Sequence, residues 1–155
     1  MPLPTLVLTQ TDNLLCVADR SGLITKPPTV FVVDHDAAVR DSLSVTLTFS
    51  GLDVCSFSSG GAFIQSLPLK RDGCLLVEFD LKDMTGIELI ARLSAERVRI
   101  PIVIMSARLR LPISKHDLPK DVVILQKPFG RDQLLDVLQQ AFAKGRPGSD
   151  IRNLT

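Results

Sequence analysis

Four short apolar runs, each followed by a polar residue, limit what this chain can fold into more than any other feature. They are Val30–Val33, Leu75–Val77, Ile102–Met105 and Val122–Leu125. Short apolar runs of this kind are typical of strands that are buried on both faces of a sheet. Because segments with a helical spacing of apolar residues separate them, we predict a doubly wound, parallel α/β sheet.

The predicted elements alternate between strand and helix, and their ends follow from capping and breaking residues. They are strand 29–33, helix 36–50, strand 54–57, helix 59–67, strand 74–79, helix 86–96, a strand after Pro101, strand 122–125 and helix 131–144. The short run at 54–57 supplies the fifth strand of the sheet.

The chain divides into three predicted segments: an N-terminal extension at 1–28, one domain at 29–144, and a tail or linker stub at 145–155. The extension contains two apolar runs on either side of Thr9–Asn13, a spacing that allows a hairpin. We expect either a partly ordered extension or an added piece that packs on the domain or on a second copy.

A fourth crossover helix belongs at 107–121, but the sequence there does not favour one. Pro112 and Pro119 lie inside this stretch, and a proline in a helix interior costs about 3 kcal/mol. We therefore predict a degenerate fourth helix of at most a couple of turns.

The polar residues that follow the strands form the candidate site. In an open α/β sheet, ligands bind at the carboxyl ends of the strands. The residues that the sequence places there are Asp34, His35, Asp36, Glu78, Ser106 and Lys127.

The order of these residues resembles the receiver domain of bacterial response regulators, the CheY-like family, over about 29–144. The similarity rests on Asp34, Glu78, Ser106, the Lys127-Pro128-Phe129 motif and the Asp83-Met84-Thr85-Gly86 turn. It implies a flavodoxin-like, five-stranded sheet with the strand order 2-1-3-4-5. In that family, a pair of acids binds Mg²⁺, an Asp after the third strand accepts a phosphoryl group from a histidine kinase, and a Ser/Thr and a Lys contact that group.

Three positions depart from the family's pattern. Glu78 takes the phosphoacceptor position, and His35 takes the position of the second metal-binding acid. Ile124 takes the switch position, where many receivers have Tyr or Phe. By position, Ser106 and Lys127 match the family's phosphate-contacting residues, although a strand-end turn and a charge pair also explain them.

Glu78 has three interpretations. As a phosphoacceptor it is one methylene longer than Asp, and in-line transfer tolerates little misplacement. As a fixed negative charge near Lys127 and Ser106 it would partly imitate a phosphoryl group, which brings about −1.5 to −2 charges. As a structural residue it would simply pair with Lys127. We favour the last two equally, and interpret Asp80 as a solvated loop acid rather than a substitute acceptor.

The acidic pocket is a poor metal site on this sequence. Mg²⁺ prefers oxygen ligands, and Asp34 and Glu78 are weak candidates for that role. Asp36 is the second acid assigned to the pocket, but it is also well suited to cap the first helix. His35 suits Zn²⁺ or Cu²⁺ better than Mg²⁺. We expect no cofactor, with Mg²⁺ binding weak or absent.

Composition excludes several classes of function. The net charge is +1 without a strongly basic run, which argues against a nucleic-acid surface within this chain. No stretch is long and apolar enough for a membrane span. The three cysteines have no metal-ligand spacing and indicate reduced thiols in the cytoplasm.

We therefore predict a non-enzymatic, atypical receiver in two-component signalling, whose output Asp phosphorylation does not set. It would act through contact with a sensor histidine kinase, another signalling protein or a second copy. The alternative is a phosphorylation-competent regulator, with Glu78 engineered from Asp or Asp80 as the acceptor, as the receiver part of a transcriptional regulator. A metal sensor using His35 ranks third and a flavodoxin-like enzyme fourth.

Overall fold

A computed structural model describes residues 27–114 and 116–144, together with the backbone of three short strands nearer the N-terminus. The elements are β1 (Leu6–Leu8), β2 (Leu15–Ala18), β3 (Ile24–Thr25), β4 (Thr29–Val33), α1 (Ala37–Phe49), β5 (Asp53–Phe57), α2 (Gly60–Gln65), β6 (Gly73–Glu78), α3 (Gly86–Ala95), β7 (Ile102–Ser106), β8 (Val123–Gln126) and α4 (Arg131–Lys144). The predicted strands and helices of the domain agree with these bounds to within a few residues.

The main sheet is parallel and has the order β5-β4-β6-β7-β8. Numbered along the sheet's own five strands, this is the predicted order 2-1-3-4-5. The central strands β4 and β7 are buried along their whole length, as expected for a sheet that helices cover on both faces.

Alternate strand residues supply two apolar layers, one on each face of the sheet. Val32 and Leu76 pack in the layer that α1 and α4 complete. Phe31 and Leu75 pack in the opposite layer, which α2 and α3 cover with residues such as Phe63. The alternation explains why both faces of the central strands are apolar.

Side-chain caps fix the starts of two helices that border the site. Asp36 is the N-cap of α1, and its carboxylate accepts a 2.9 Å hydrogen bond from the backbone N–H of Ala38. Thr85 and Glu88 form a capping box at the start of α3. Such caps satisfy N–H groups that have no partner inside a helix. Gly51 ends α1 at φ 84°, a left-handed conformation that favours glycine.

Between β7 and β8, the described part of 107–121 contains neither helix nor strand. The backbone N–H of Asp117 bonds to the carbonyl of Ser114 at 2.9 Å, which closes a turn there. Leu111 and Leu118 are half-buried against the α2–α3 layer. The predicted degenerate fourth helix is confirmed for the residues that the structure describes.

The N-terminal strands form a separate three-stranded sheet in the order β1-β2-β3. β1 pairs antiparallel with β2, with Leu6 opposite Val17 and Leu8 opposite Leu15. This is the pairing that the predicted hairpin requires, while the residues that connect the two strands lie outside the described part. The sequence did not predict β3, because two residues are too few to show a period. The tail predicted at 145–155 also lies outside the described residues.

No helix in the described part of the chain combines the length and apolar character needed to cross a membrane.

Candidate functional site

The carboxyl ends of the main strands bring most of the predicted site residues together. Glu78 is the last residue of β6 and Ser106 the last of β7, while Asp34 and Lys127 directly follow β4 and β8. Strand pairing places Glu78 beside Met105, and Val33 beside Val77. Because all five strands are parallel, these side chains share one edge of the sheet.

Asp34, Glu78 and Lys127 form what we call the buried ion cluster. The ammonium Nζ of Lys127 donates to Glu78 Oε2 at 2.5 Å and to Asp34 Oδ2 at 3.4 Å. The side chains of Lys127, Glu78 and Asp34 are only 24%, 8% and 1% exposed. A single ammonium group therefore compensates two buried carboxylates.

The second oxygen of each carboxylate is also bonded. Asp34 Oδ1 accepts from the backbone N–H of Asp36 at 2.9 Å. Glu78 Oε1 accepts from the backbone N–H of Asp80 at 3.2 Å. Within the described residues, no buried side-chain nitrogen or oxygen lacks a hydrogen-bond partner. Each of the four carboxylate oxygens in the cluster therefore accepts at least one hydrogen bond from the protein.

The pKa of Lys127 is raised above its ordinary value, as the balance of opposing effects. Burial disfavours the charged ammonium and lowers the pKa, but the hydrogen bond to Glu78 and the charges of Glu78 and Asp34 together outweigh it. Lys127 is therefore held in its charged form.

The backbone around Lys127 is tied to the end of β7. The Lys127-Pro128 peptide bond is cis, and the N–H of Lys127 donates to the carbonyl of Ser106 at 2.8 Å. Ser106 is fully buried, and its hydroxyl accepts from the N–H of Arg108 at 3.0 Å. Among the described residues, this hydroxyl makes no hydrogen bond to the side chain of Glu78 or of Lys127. The Ser106 hydroxyl thus stabilises the turn that follows β7.

His35 and Asp36 lie at the rim of the cluster rather than inside it. His35 Nδ1 is 4.0 Å from Asp34 Oδ1, and the His35 side chain is 35% exposed. The Asp36 carboxylate caps α1, which is the role that the sequence favoured. The Asp36 carboxylate is directed to the helix N-terminus, while its backbone N–H bonds to Asp34, so the assignment of Asp36 to the acidic pocket stays a prediction.

The residues at this edge do not fit a Mg²⁺ site. Both candidate carboxylates, Asp34 and Glu78, are bonded to an ammonium group, and the next side chain is an imidazole. Mg²⁺ requires oxygen ligands in near-octahedral geometry. Across the described ranges, no three His, Cys, Asp or Glu side chains are grouped to hold a metal ion.

A second ion pair, which we call the surface pair, lies beside the cluster. Arg108 donates from Nε and Nη2 to the two carboxylate oxygens of Asp80, at 3.0 Å each, and its guanidinium lies 5.6 Å from the centre of the Phe79 ring. This hydrogen bonding is the main reason that the pKa of Asp80 lies below its ordinary value. Asp80 is therefore paired with Arg108 while its side chain stays 46% exposed, which agrees with its interpretation as a solvated loop acid.

Two large apolar side chains near this end of β7 and β8 are exposed. Ile124, which the sequence predicts at the switch position, is 47% exposed, and Leu109, just beyond β7, is 88% exposed. An aliphatic side chain at Ile124 has no hydroxyl that could alternate between hydrogen-bonding partners.

Comparison with known proteins finds one matching family and related transcriptional regulatory proteins. A family described as "Response regulator receiver domain" matches residues 30–139. The chain is 32% identical over 121 residues to the transcriptional regulatory protein FixJ of Bradyrhizobium diazoefficiens, covering 77% of this chain and 59% of FixJ. It is 33% identical over 126 residues to the transcriptional regulatory protein TdiR of Thauera aromatica, covering 81% of this chain and 56% of TdiR. The chain thus spans a little over half the length of these relatives.

Solved structures extend the similarity to the fold. Full-length FixJ from B. japonicum superposes with a TM-score of 0.74 at 31% identity, covering 81% of this chain and 63% of that one. The structure described as FixJ-N gives 0.71 at 26% identity, covering 79% of this chain and 99% of that one.

Proposed function

The chain belongs to the response regulator receiver domain family, and from this we propose that it is an atypical receiver in two-component signal transduction. It acts by contact with another protein, and Asp phosphorylation does not set its output. The observation that supports this most strongly is Glu78, the last residue of β6, buried and bonded to Lys127.

Glu78 occupies the phosphoacceptor position and is poorly placed to react. A nucleophilic carboxylate needs an oxygen free to attack in line. One oxygen of Glu78 is bonded to the Lys127 ammonium and the other to the Asp80 N–H. The neighbouring acid, Asp34, shares the same ammonium, so a metal ion would have to compete with Lys127 for both carboxylates.

Asp80 is no better as a substitute acceptor. Both of its carboxylate oxygens accept hydrogen bonds from Arg108. An attack through either oxygen would first require the surface pair to open. This geometry weighs against the alternative of a phosphorylation-competent regulator.

Glu78 supplies a constant negative charge beside Lys127, where the family gains negative charge on phosphorylation. Glu78 brings one negative charge, whereas a phosphoryl group brings about −1.5 to −2 and three strong acceptor oxygens. The imitation is partial. If the pair of Glu78 and Lys127 only stabilised the fold, its geometry would be the same. The two roles differ only in whether the pair affects the signalling output.

The partner is a sensor histidine kinase, another signalling protein or a second copy of the chain. The relatives FixJ and TdiR are named as transcriptional regulators, and the chain matches only part of their length. We propose the cytoplasm as its location, a role without enzymatic activity, and no direct contact with nucleic acid within these residues.

The test is the response of backbone amides to the phosphoryl mimic BeF₃⁻ with Mg²⁺. We expect the amides of Glu78 and Ser106 in the native chain to keep their chemical shifts. The matched control is the double variant Glu78→Asp, His35→Asp, which restores both acids and should respond. Shifts in the native chain centred on these two residues would contradict the proposal.

A further inference from the structure

Two adjoining clefts lie at the edge of the sheet opposite the buried ion cluster. They are formed where the chain passes from α3 into β7 and from α2 into β6, and their volumes are about 490 and 320 Å³. Val98 and Arg99 line both clefts. The clefts therefore adjoin at these two residues, and we call them together the amino-edge groove.

The floor of the amino-edge groove is apolar. Leu69, Val98 and Ile100 line it. All three are half-buried and pack with the apolar layer that α2 and α3 cover. The core thus holds these side chains in place while part of their surface stays accessible from the groove.

The rim of the groove is basic. Arg71, Arg97 and Arg99 line it and are exposed, and Asp72 is the one carboxylate among the described residues that line it. Arg71 is partly compensated by Asp53, at 3.6 Å. Within the described part of the chain, the side chains of Arg97 and Arg99 form no ion pair or hydrogen bond. These two residues therefore carry the groove's excess positive charge.

Arg97 has a backbone conformation that glycine adopts more easily. Its φ is 59°, and its N–H donates to the carbonyl of Ser94 at 3.1 Å. The N–H of Val98 donates to the carbonyl of Leu93 at 2.9 Å. This pair of bonds is the Schellman motif, in which glycine is usual at the position of Arg97. Because a larger residue costs conformational energy there, local backbone energetics favour glycine, and the arginine side chain calls for another role.

The three arginines are spread along the groove and do not converge on one point. Arg97 lines one cleft, Arg71 lines the other, and Arg99 lines both. Guanidinium groups bind carboxylates through paired hydrogen bonds, so this spacing suits an extended ligand with several carboxylates better than one small anion. Nucleic acid fits less well, because the described lining contains no aromatic side chain on which a base could stack.

We propose that the amino-edge groove binds an extended, acidic segment of a partner protein. Successive side chains of an extended chain point in opposite directions. Carboxylates of the segment then pair with Arg97 and Arg99, while the apolar side chains between them pack on the floor of the groove. The inference does not rest on the proposed function, because the groove contains no residue of the buried ion cluster.

The test measures fluorescence anisotropy with the full chain and a labelled peptide of alternating glutamate and valine. We expect saturable binding that weakens as salt is added, since the charges are exposed. A matched peptide with glutamine in place of each glutamate should not bind. Failure of the glutamate peptide to bind, or equal binding of the two peptides, would overturn the proposal.

Matched arginine substitutions test whether the groove itself is responsible. Arg99→Gln should weaken binding of the glutamate peptide about five-fold, as expected for the loss of an exposed ion pair. Arg110→Gln removes the same charge from an exposed residue beyond β7, at the opposite edge, and should leave the affinity unchanged. If the two variants lost affinity equally, net charge and not the groove would attract the peptide, and the proposal would fail.

Arg97→Gly separates binding from folding. Glycine relieves the left-handed backbone, so the midpoint of thermal unfolding should stay the same or rise while peptide affinity falls about five-fold. Intact binding with a lower midpoint would give Arg97 a role in the fold alone and contradict the proposal.

Backbone amide shifts then locate the bound peptide. They should change at 69–73 and 97–101. Changes centred on 78–80 and 106–108 instead would place the peptide at the buried ion cluster and overturn the proposal. Inorganic phosphate provides the last control. If it displaced the peptide more effectively than chloride at equal ionic strength, the groove would be a site for a small anion, which would also overturn the proposal.

Discussion

The buried ion cluster and the surface pair lie side by side, yet they hold the protein together in different ways. The surface pair has the better hydrogen-bond geometry, with two bonds of 3.0 Å between Arg108 and Asp80. Its side chains are 51% and 46% exposed, whereas Asp34 and Glu78 in the cluster are 1% and 8% exposed. The comparison teaches that the burial of an ion pair, more than its hydrogen-bond geometry, determines how much stability is lost when one partner is removed.

The physical reason is the fate of the charge that remains. If one partner of the surface pair is removed, water solvates the other, and such pairs contribute little to stability. If Lys127 is removed, two carboxylates stay buried near each other without compensation. Breaking a buried pair in this way is strongly destabilising.

The largest effect that tests this contrast is expected from Lys127→Met. We expect it to lower the free energy of unfolding by about 3 kcal/mol at neutral pH, since it leaves Asp34 and Glu78 uncompensated. The measurement is urea unfolding, with exposed Lys120→Met as the control. If Lys127→Met left the free energy of unfolding unchanged, the three residues would not act as an electrostatic cluster.

Glu78→Gln should cost less, about 1.5 kcal/mol, because it removes one hydrogen bond to a charged group. Lys127 would still have Asp34 as a partner, at 3.4 Å. The same urea experiment gives the ranking. If Glu78→Gln were more destabilising than Lys127→Met, like-charge repulsion would not be the dominant effect in the cluster.

The cluster should also make the folded protein less stable at alkaline pH. The folded-state pKa of Lys127 is raised above the ordinary value of 10.5. Its contribution to stability is therefore complete below 10.5 and is lost as the pH rises through the folded-state pKa. Unfolding measured between pH 9 and 12 should show a loss in the native chain that Lys127→Met lacks. Parallel profiles for the two proteins would refute this.

The smallest effect is expected from Arg108→Ala. It should shift the midpoint of thermal unfolding several-fold less than Lys127→Met does, and high salt should diminish the shift further. Because the pKa of Asp80 is lowered from 3.8, the pair's contribution is present above 3.8 and is lost as the pH falls through the folded-state pKa. If Arg108→Ala shifted the midpoint as much as Lys127→Met does, the buried ion cluster and the surface pair would not differ in their contribution to stability.

The sequence predicted the cluster but not the surface pair, and the reason is physical. Asp34, Glu78 and Lys127 follow apolar strands, and a parallel sheet must bring the ends of its strands to one edge. Arg108 lies in a loop without periodicity, and its contact with Asp80 depends on how two loops fold over the edge. Sequence patterns contain no signal for such a contact.

The same limit applies elsewhere in the fold. Helix starts at Asp36 and Thr85 were predictable because caps have a local chemical cause. Pro112 and Pro119 were the basis for predicting a degenerate fourth helix, and the described residues 107–114 and 116–121 form no helix. The two-residue strand β3 was not predictable, since it exists only through its pairing with β2.

Intact mass after incubation with acetyl phosphate and Mg²⁺ tests the central claim most directly, namely that the Glu78–Lys127 pair replaces phosphorylation at this edge. We expect the native chain to gain no phosphoryl group. A gain that Glu78→Gln abolishes would show that Glu78 is an acceptor and would contradict the claim. A gain that survives in Glu78→Gln but is lost in Asp80→Ala would contradict it too, by assigning the chemistry to Asp80.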